Sequence, residues 1–230
     1  MNDPAARGYD RLAPWYQTLE RMRFGGGLQR ARVALLTDLP HCQHALFIGD
    51  GDGRLLQAFA VQQPQCRVTS IDISSRMLDR QRQRLGRRCA FAEEPQVRWV
   101  QADIRRCDIS PQRYDLIVTA FHLDCFPEEE VGRLVERLEA ALREQGCWYV
   151  VDFAIPRGGW RRLWARFWTA MMIAFFRWQT ALATSSLPDV RQVFADRGWT
   201  VKGQRVSRGG MLYSVLLRRP SRTGPQVGDG

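Results

Sequence analysis

The chain has 230 residues and a formal charge of +10 at neutral pH, with 45% hydrophobic residues. That is enough chain for one large domain with a core of its own. No run of about 18 uncharged apolar residues occurs, which argues against a conventional membrane span. The N-terminus, Met1 to Arg11, lacks an apolar secretion segment. A cytoplasmic protein is therefore expected, with peripheral membrane contact as the one variant of that placement. Six cysteines, at 42, 66, 89, 107, 125 and 147, are spread evenly, without a CxxC pair or a Cys/His cluster. This excludes a disulfide framework and a cysteine-based metal site as organising features. The positive charge is almost all arginine, since Lys202 is the single lysine. It suits either solvated faces or an anionic partner, such as nucleic acid or a membrane surface.

In chain order, a helix is expected over about Tyr9 to Arg23, broken at Gly25-Gly26-Gly27 and resumed from about Leu28 to Leu36. Ala45 to Ile48 is a short apolar run ending in glycines, hence a buried strand and a turn. Helix follows over Leu55 to Val61, strand over Arg67 to Ile71, and helix over Ser74 to Leu85 with Ser74 as its N-cap. Strands are expected at Val97 to Val100 and Tyr114 to Val118. A helix then runs over Pro127 to Leu142 with proline in its first turn, and a strand over Trp148 to Val151. The last elements are a helix near Pro188 to Asp196 and strands near Thr200 to Arg205 and Met211 to Leu217. Such alternation predicts an α/β fold with a mostly parallel sheet covered on both faces and a final strand pair. Ligands in such folds bind beyond the carboxyl ends of the strands.

The turn Gly49-Asp50-Gly51-Asp52-Gly53 follows the first strand. A dinucleotide fingerprint needs a third glycine three residues after the second, yet position 54 is Arg54 and the third glycine comes early, at 53. Asp50 and Asp52 would also repel a pyrophosphate. A cationic, phosphate-free ligand suits this turn better. Asp72 ends the second strand about twenty residues later, where a carboxylate can accept from two ribose hydroxyls. Its alternative is to cap the helix that starts near Ser74. Asp103 follows the third strand, where it can accept from an adenine amino group while Ile104 packs against the ring.

Residues 45–53, 68–78, 98–104, 114–126 and 143–152 resemble the ordered motifs of class I S-adenosylmethionine-dependent methyltransferases. They are most similar to the small-molecule group typified by ubiquinone and menaquinone biosynthesis, and the resemblance spans roughly residues 9 to 218. It implies a Rossmann-like methyltransferase fold: a seven-stranded, mostly parallel sheet with helices on both faces and a C-terminal antiparallel strand pair. Residues 1–40 would form an N-terminal helical cap, 41–218 the cofactor-binding domain, and 219–230 a flexible tail. S-adenosyl-L-methionine is the cofactor implied. Gly49, Asp50, Gly51 and Gly53 would lie against its methionine part, Asp72, Ile73 and Met77 around its ribose, Asp103 and Ile104 at its adenine, and Thr119 beside the methionine chain. Tyr9 to Tyr16 resembles the family's N-terminal "YDxxAxxY" segment. Two departures stand out. Phe47 occupies the family's usual acidic position, for which Asp50 would substitute, and Ala120 stands where many members are polar.

The sulfonium is already an activated electrophile, so the protein must align an acceptor and, for some acceptors, remove a proton. His122 and Asp124, just past the fourth strand, are the candidates for that proton. The other histidines, His41 and His44, precede the first strand. Residues 157–182 are the expected lid insertion. Trp160, Leu163, Trp164, Phe167, Met171, Phe175 and Trp178 share a helical face opposite Arg162, Arg166 and Arg177. That face reads equally as core packing or as a lid over a lipophilic substrate resting on an anionic membrane surface. Tyr9, Tyr16, Phe121, Trp164 and Phe167 are the substrate-lining candidates. The resulting expectation is methyl transfer to a small lipophilic or aromatic metabolite, with no metal. The alternatives are an RNA or DNA methyltransferase, prompted by charge, and a non-catalytic cofactor-binding scaffold. Nucleic acid is the less favoured partner, because Ala120-Phe121-His122-Leu123 replaces the Asn/Asp-Pro-Pro-aromatic segment of base-methylating relatives.

Overall fold

A computed structural model describes residues 26–86, 96–154, 188–207 and 210–220. The expected first helix, the 157–182 insertion with Trp164 and Phe167, Tyr9, Tyr16 and the tail lie outside the described residues. Helix α1 is Gly27–Val33, followed by a 3-10 turn at Leu36–Asp38. The alternating part runs β1 His44–Ile48, α2 Arg54–Gln62, β2 Arg67–Asp72, α3 Ser75–Gly86 and β3 Val97–Gln101, then β4 Tyr114–Ala120 and α4 Glu128–Ala141. It closes with β5 Leu142–Phe153, α5 Val190–Ala195, β6 Thr200–Ser207 and β7 Leu212–Arg218.

The seven strands form one sheet in the order β3-β2-β1-β4-β5-β7-β6. β1 pairs in parallel with β2 and β4, β2 with β3, and β4 with β5. β7 is antiparallel to both β5 and β6. This is the expected Rossmann-like methyltransferase arrangement. Beyond β1 the chain first moves outward to β2 and β3, then returns to lay β4 on the other side. The switch point therefore lies between β1 and β4, where a crevice opens at the carboxyl ends.

Both faces are packed, because successive residues of a strand point to opposite sides. Phe47, Val68, Val118, Tyr149 and Val151 join α1 and α2 in one core. Ile48, Ile117, Trp148 and Val150 join α4 and α5 in the other. Tyr149 ties α1 to the sheet: its hydroxyl donates to the Arg32 carbonyl at 3.0 Å, while Ser214 Oγ donates to the Ala31 carbonyl at 2.7 Å. The last carbonyls of this short helix thus find partners in the sheet.

Expected and observed elements differ mostly by a residue or two at their ends. β5 is the exception, starting at Leu142 rather than Trp148. An isolated bridge, Tyr114 to Leu142, precedes an irregular stretch, and regular pairing begins at Leu116 with Cys147. Ser74 caps α3 as expected, its Oγ accepting from Met77 N at 3.2 Å.

Phe47 is fully buried and meets Phe59 of α2 edge-on, ring centres 5.1 Å apart. Phe47→Asp would remove that packing and bury a carboxylate in an apolar layer. It should lower unfolding stability by at least about 3 kcal/mol, read as a lower urea midpoint at an unchanged slope.

Candidate functional site

The site begins with the turn between β1 and α2. Gly49 and Gly53 have φ of 63° and 80°, backbone that side-chain-bearing residues rarely adopt. Space is restricted as well. A Cβ on Gly49 would stand 2.2 Å from His122 Nδ1, and one on Gly53 would stand 2.9 Å from Gln81 Cγ. Gln81, fully buried on α3, fixes the turn from beneath. Its Nε2 donates to the Gly51 carbonyl at 2.9 Å, and its Oε1 accepts from Ser70 Oγ on β2 at 2.7 Å.

The turn's two aspartates have different roles. Asp52 is ion-paired with Arg84 at 2.7 Å and Arg54 at 3.2 Å, so its charge is answered within the fold. Asp50 Oδ2 accepts from Leu56 N at 2.9 Å, while its Oδ1 is buried without a partner among the described residues. Burial pushes the Asp50 carboxyl up to about 7, against the opposing pull of the Leu56 amide and the nearby Arg32 charge. A positively charged or proton-donating group is the partner this oxygen lacks.

The second and third strands end beside the turn. Gly49 N donates to the Ile71 carbonyl at 2.9 Å, and Ala102 N to the Asp72 carbonyl at 3.1 Å. Asp72 is therefore flanked by the glycine turn and the start of the Asp103 loop. Its Oδ1 accepts from Ser74 N at 2.9 Å, so the capping role and a place at the strand end coexist. Ile73 is half-buried beside it, and Met77 is buried below. Asp103 is gripped by Arg105, whose Nε and Nη2 lie 2.9 Å and 2.7 Å from its two oxygens. Burial works to raise its pKa, but the Arg105 hydrogen bonds outweigh this and hold the carboxyl below the usual range. Ile104 is buried in the core with Ile48 and Ile71. Thr119 is buried too, its Oγ1 accepting from Trp148 Nε1 at 3.0 Å, so that hydroxyl is already engaged in packing.

Past β4 the chain turns through Phe121, whose φ is 55°. Such a conformation in a bulky residue is strained and typical of functional turns. The Phe121 ring lies 5.0 Å from Phe153, with the Arg32 guanidinium 5.0 Å from its centre. His122 lies directly over Gly49. Its ring is part-exposed, but its Nε2 is buried without a partner among the described residues. Burial lowers its pKa to about 4, leaving a neutral imidazole at physiological pH. His41 and His44 lie at the opposite, amino end of the sheet.

Asp124 meets a partner that sequence reasoning missed. Its carboxyl lies close enough to that of Asp152, near the end of β5, for the two to shift each other. Burial raises Asp124 to about 6. Burial and the Asp124 charge push Asp152 well above the usual range. Tyr213 stands opposite Asp152 across β5 and β7, its hydroxyl buried without a partner among the described residues. Asp152 was visible in the sequence only as a polar residue ending an apolar strand. A separate cavity of about 60 Å³ lies beneath α5, between Arg191, Trp199 and Tyr213, and no glycine-turn residue lines it.

Residues 45–146 match the family model described as a methyltransferase domain. The chain is 35% identical over 86 residues to the carboxy-S-adenosyl-L-methionine synthase of Aeromonas hydrophila subsp. hydrophila, covering 37% of this chain and 32% of that protein. The match thus spans about a third of the length of such curated relatives. In fold the chain is similar to the mitomycin 7-O-methyltransferase MmcR, with a TM-score of 0.66 at 16% identity over 92% of this chain and 60% of that one. It is also similar to the Burkholderia thailandensis 1,6-didemethyltoxoflavin-N1-methyltransferase, solved with 1,6-didemethyltoxoflavin and S-adenosylhomocysteine, with a TM-score of 0.63 at 16% identity over 94% of this chain and 88% of that one. Among the described residues no helix is long and apolar enough to cross a membrane.

If burial raises Asp50 in the folded state, its contribution to stability is full below its unfolded pKa near 4 and is lost as pH rises to about 7. Stability should therefore fall over that interval, and Asp50→Asn should make the fall shallower. Denaturant titrations at pH 4.5 and 7.5 on both proteins measure the difference.

Proposed function

We propose that this chain, whose residues 45–146 match a methyltransferase-domain model, is a class I S-adenosylmethionine-dependent methyltransferase that transfers the sulfonium methyl group in line to a small lipophilic or aromatic acceptor. The observation that carries this is the switch-point crevice, where Gly49 after β1 and His122 after β4 pack face to face. Asp72 ends β2, and Asp103 lies two residues past the end of β3. The unpartnered Asp50 Oδ1 suits the cofactor's cationic methionine end, and Asp72 and Asp103 suit its ribose and adenine donors.

When bound, S-adenosylmethionine supplies the electrophilic methyl group. The chain's own residues would orient the acceptor and hold its proton. Phe121, Phe126 and Phe153 give the rim an aromatic surface beside His122 and Asp124. This supports an aromatic acceptor, as do the small molecules named for the structural relatives. The ubiquinone- and menaquinone-type group stays the working comparison on the strength of Ile71-Asp72-Ile73-Ser74.

The two proton-handling candidates separate on physical grounds. A general base works best with a pKa near the working pH. Asp124 at about 6 fits that role, whereas His122 at about 4 is a weak acceptor and better suited to a hydrogen bond from the neutral ring. An O–H or N–H acceptor would lose its proton to the ionised Asp124, which becomes neutral. A thiolate acceptor would need neither.

Calorimetric titration with S-adenosylhomocysteine tests the cofactor half. Binding is expected, weakened about 10- to 100-fold by Asp72→Asn and abolished by Gly49→Val. Absence of binding by the folded wild type would sink the reading. Transfer of labelled methyl from S-adenosylmethionine to a panel of phenols and aromatic amines tests the rest. The rate on an acceptor with an ionisable proton should rise with pH through about 6. Asp124→Asn should cost about 10²- to 10⁴-fold in kcat with S-adenosylhomocysteine affinity kept, and His122→Ala should cost less. Equal turnover by Asp124→Asn would remove that residue from the chemistry. Cofactor binding without methylation of any acceptor in the panel would instead favour other chemistry on the same cofactor, in keeping with the name of the Aeromonas relative.

A further inference from the structure

At the opposite end of the sheet from the crevice, two sulphur atoms lie 3.2 Å apart. Cys42 sits in the segment leading into β1, and Cys66 immediately precedes β2. The strands that follow them are hydrogen-bonded neighbours, with His44 opposite Arg67. Both cysteines are 2% exposed. Gln63 holds the pair: its Oε1 accepts from Cys42 N at 2.9 Å and lies 3.3 Å from Cys42 Sγ. Its Nε2 donates to the Pro40 carbonyl at 3.0 Å, and its own carbonyl accepts from Cys66 N at 3.1 Å. A disulfide needs its sulphurs about 2 Å apart, so an approach of roughly 1 Å within segments already tied together would suffice.

We propose that Cys42 and Cys66 form a redox-active dithiol, an oxidation site that closes to an intramolecular disulfide on exposure to peroxide. The consequence follows from chain order. The bond would close a ring of residues 42–66 containing β1, the whole Gly49 to Gly53 turn and α2. It would therefore constrain, from its far end, the segment that shapes the proposed cofactor site.

The chemistry balances with hydrogen peroxide as the oxidant. Cys66 is the more readily ionised partner, because the Cys42 thiol donates to it, and the same contact holds the Cys42 proton in place. The Cys66 thiolate attacks one peroxide oxygen, the O–O bond breaks and hydroxide leaves, giving a sulfenic acid. The Cys42 sulphur then attacks that sulphur, the S–S bond forms, the S–O bond breaks and water leaves. Two thiols are oxidised and one peroxide is reduced to two waters.

The test uses the full chain, folded, treated with hydrogen peroxide, blocked with iodoacetamide under denaturing conditions and digested. The expected result is a loss of about 2 Da, two hydrogens, from the intact protein before blocking, and, after blocking and digestion, a cross-linked peptide pair containing Cys42 and Cys66. Dithiothreitol should reverse both. The thermal midpoint should rise by several degrees on oxidation, because the bridge restricts the unfolded chain. Cys147→Ser should still form the bridge and Cys66→Ser should not. Cys147 is the informative control because its sulphur is close enough to influence Cys42. The proposal fails if the folded wild-type protein loses no mass, if the bridge forms between other cysteines, or if Cys66 ends as a sulfinic acid with Cys42 free. Each of these is read on the wild type and needs no variant to fold.

Discussion

The glycine turn keeps its shape because the Gln81 side chain is buried with both of its polar ends satisfied. One end holds the Gly51 carbonyl, and the other holds Ser70 in the neighbouring strand. A buried amide with an unmet donor or acceptor would cost about 1–3 kcal/mol, so the two bonds stand or fall together. They fix the turn to β2 and α3 at once. The missing Cβ of Gly53 allows the approach, since any side chain there would meet Gln81 at 2.9 Å. The crevice wall is thus a packing consequence of one glutamine and one glycine.

Arginines answer carboxylates at both ends of the sheet. Asp52, Asp103 and Asp115 each have a guanidinium within 2.7 Å, from Arg84, Arg105 and Arg143 respectively. These arginines answer the fold's own carboxylates. Asp50 and the Asp124–Asp152 pair differ. Their environments push them up instead of down. Raised carboxyls lie on both sides of one switch point, one toward the glycine turn and one toward β5, which is the separation that the proposed charge-matching and proton-handling roles would need.

Local features were legible in the sequence because their signals are local. The apolar run at Ala45 to Ile48, the glycines after it and the Ser74 cap each depend on a few consecutive residues. So do the helical periodicities, and the structure reproduces them within a residue or two. The mostly parallel sheet and its final strand pair were legible from the strand–helix alternation, whereas the order of the strands was not. The pairings that decide the site's chemistry were not legible. Arg32 reaches Phe121 across 89 residues, and Gln81 reaches Gly51 across 30. Asp152 reaches Asp124 from the next strand, and nothing in the spacing of those residues reports the contact. Thr119 shows the converse. The family resemblance puts it beside the methionine chain, and the structure adds that its hydroxyl accepts from Trp148.

Phe47 shows how the turn manages without the acidic residue that the family resemblance leads one to expect. The side chain at that position faces the core shared with α1 and α2, where Phe59 meets it edge-on. A carboxylate there would need a buried donor, and an aromatic ring supplies dispersion contacts instead. The turn then depends on other atoms for its polar anchorage: Asp50 capping α2 through Leu56 N, and Gln81 holding Gly51. Moving the acidic group from the strand into the turn leaves its second oxygen buried, without a partner among the described residues. An unmatched buried acceptor is costly in the free protein, so a cationic ligand that satisfies it gains affinity from relieving that cost as well as from the new contact.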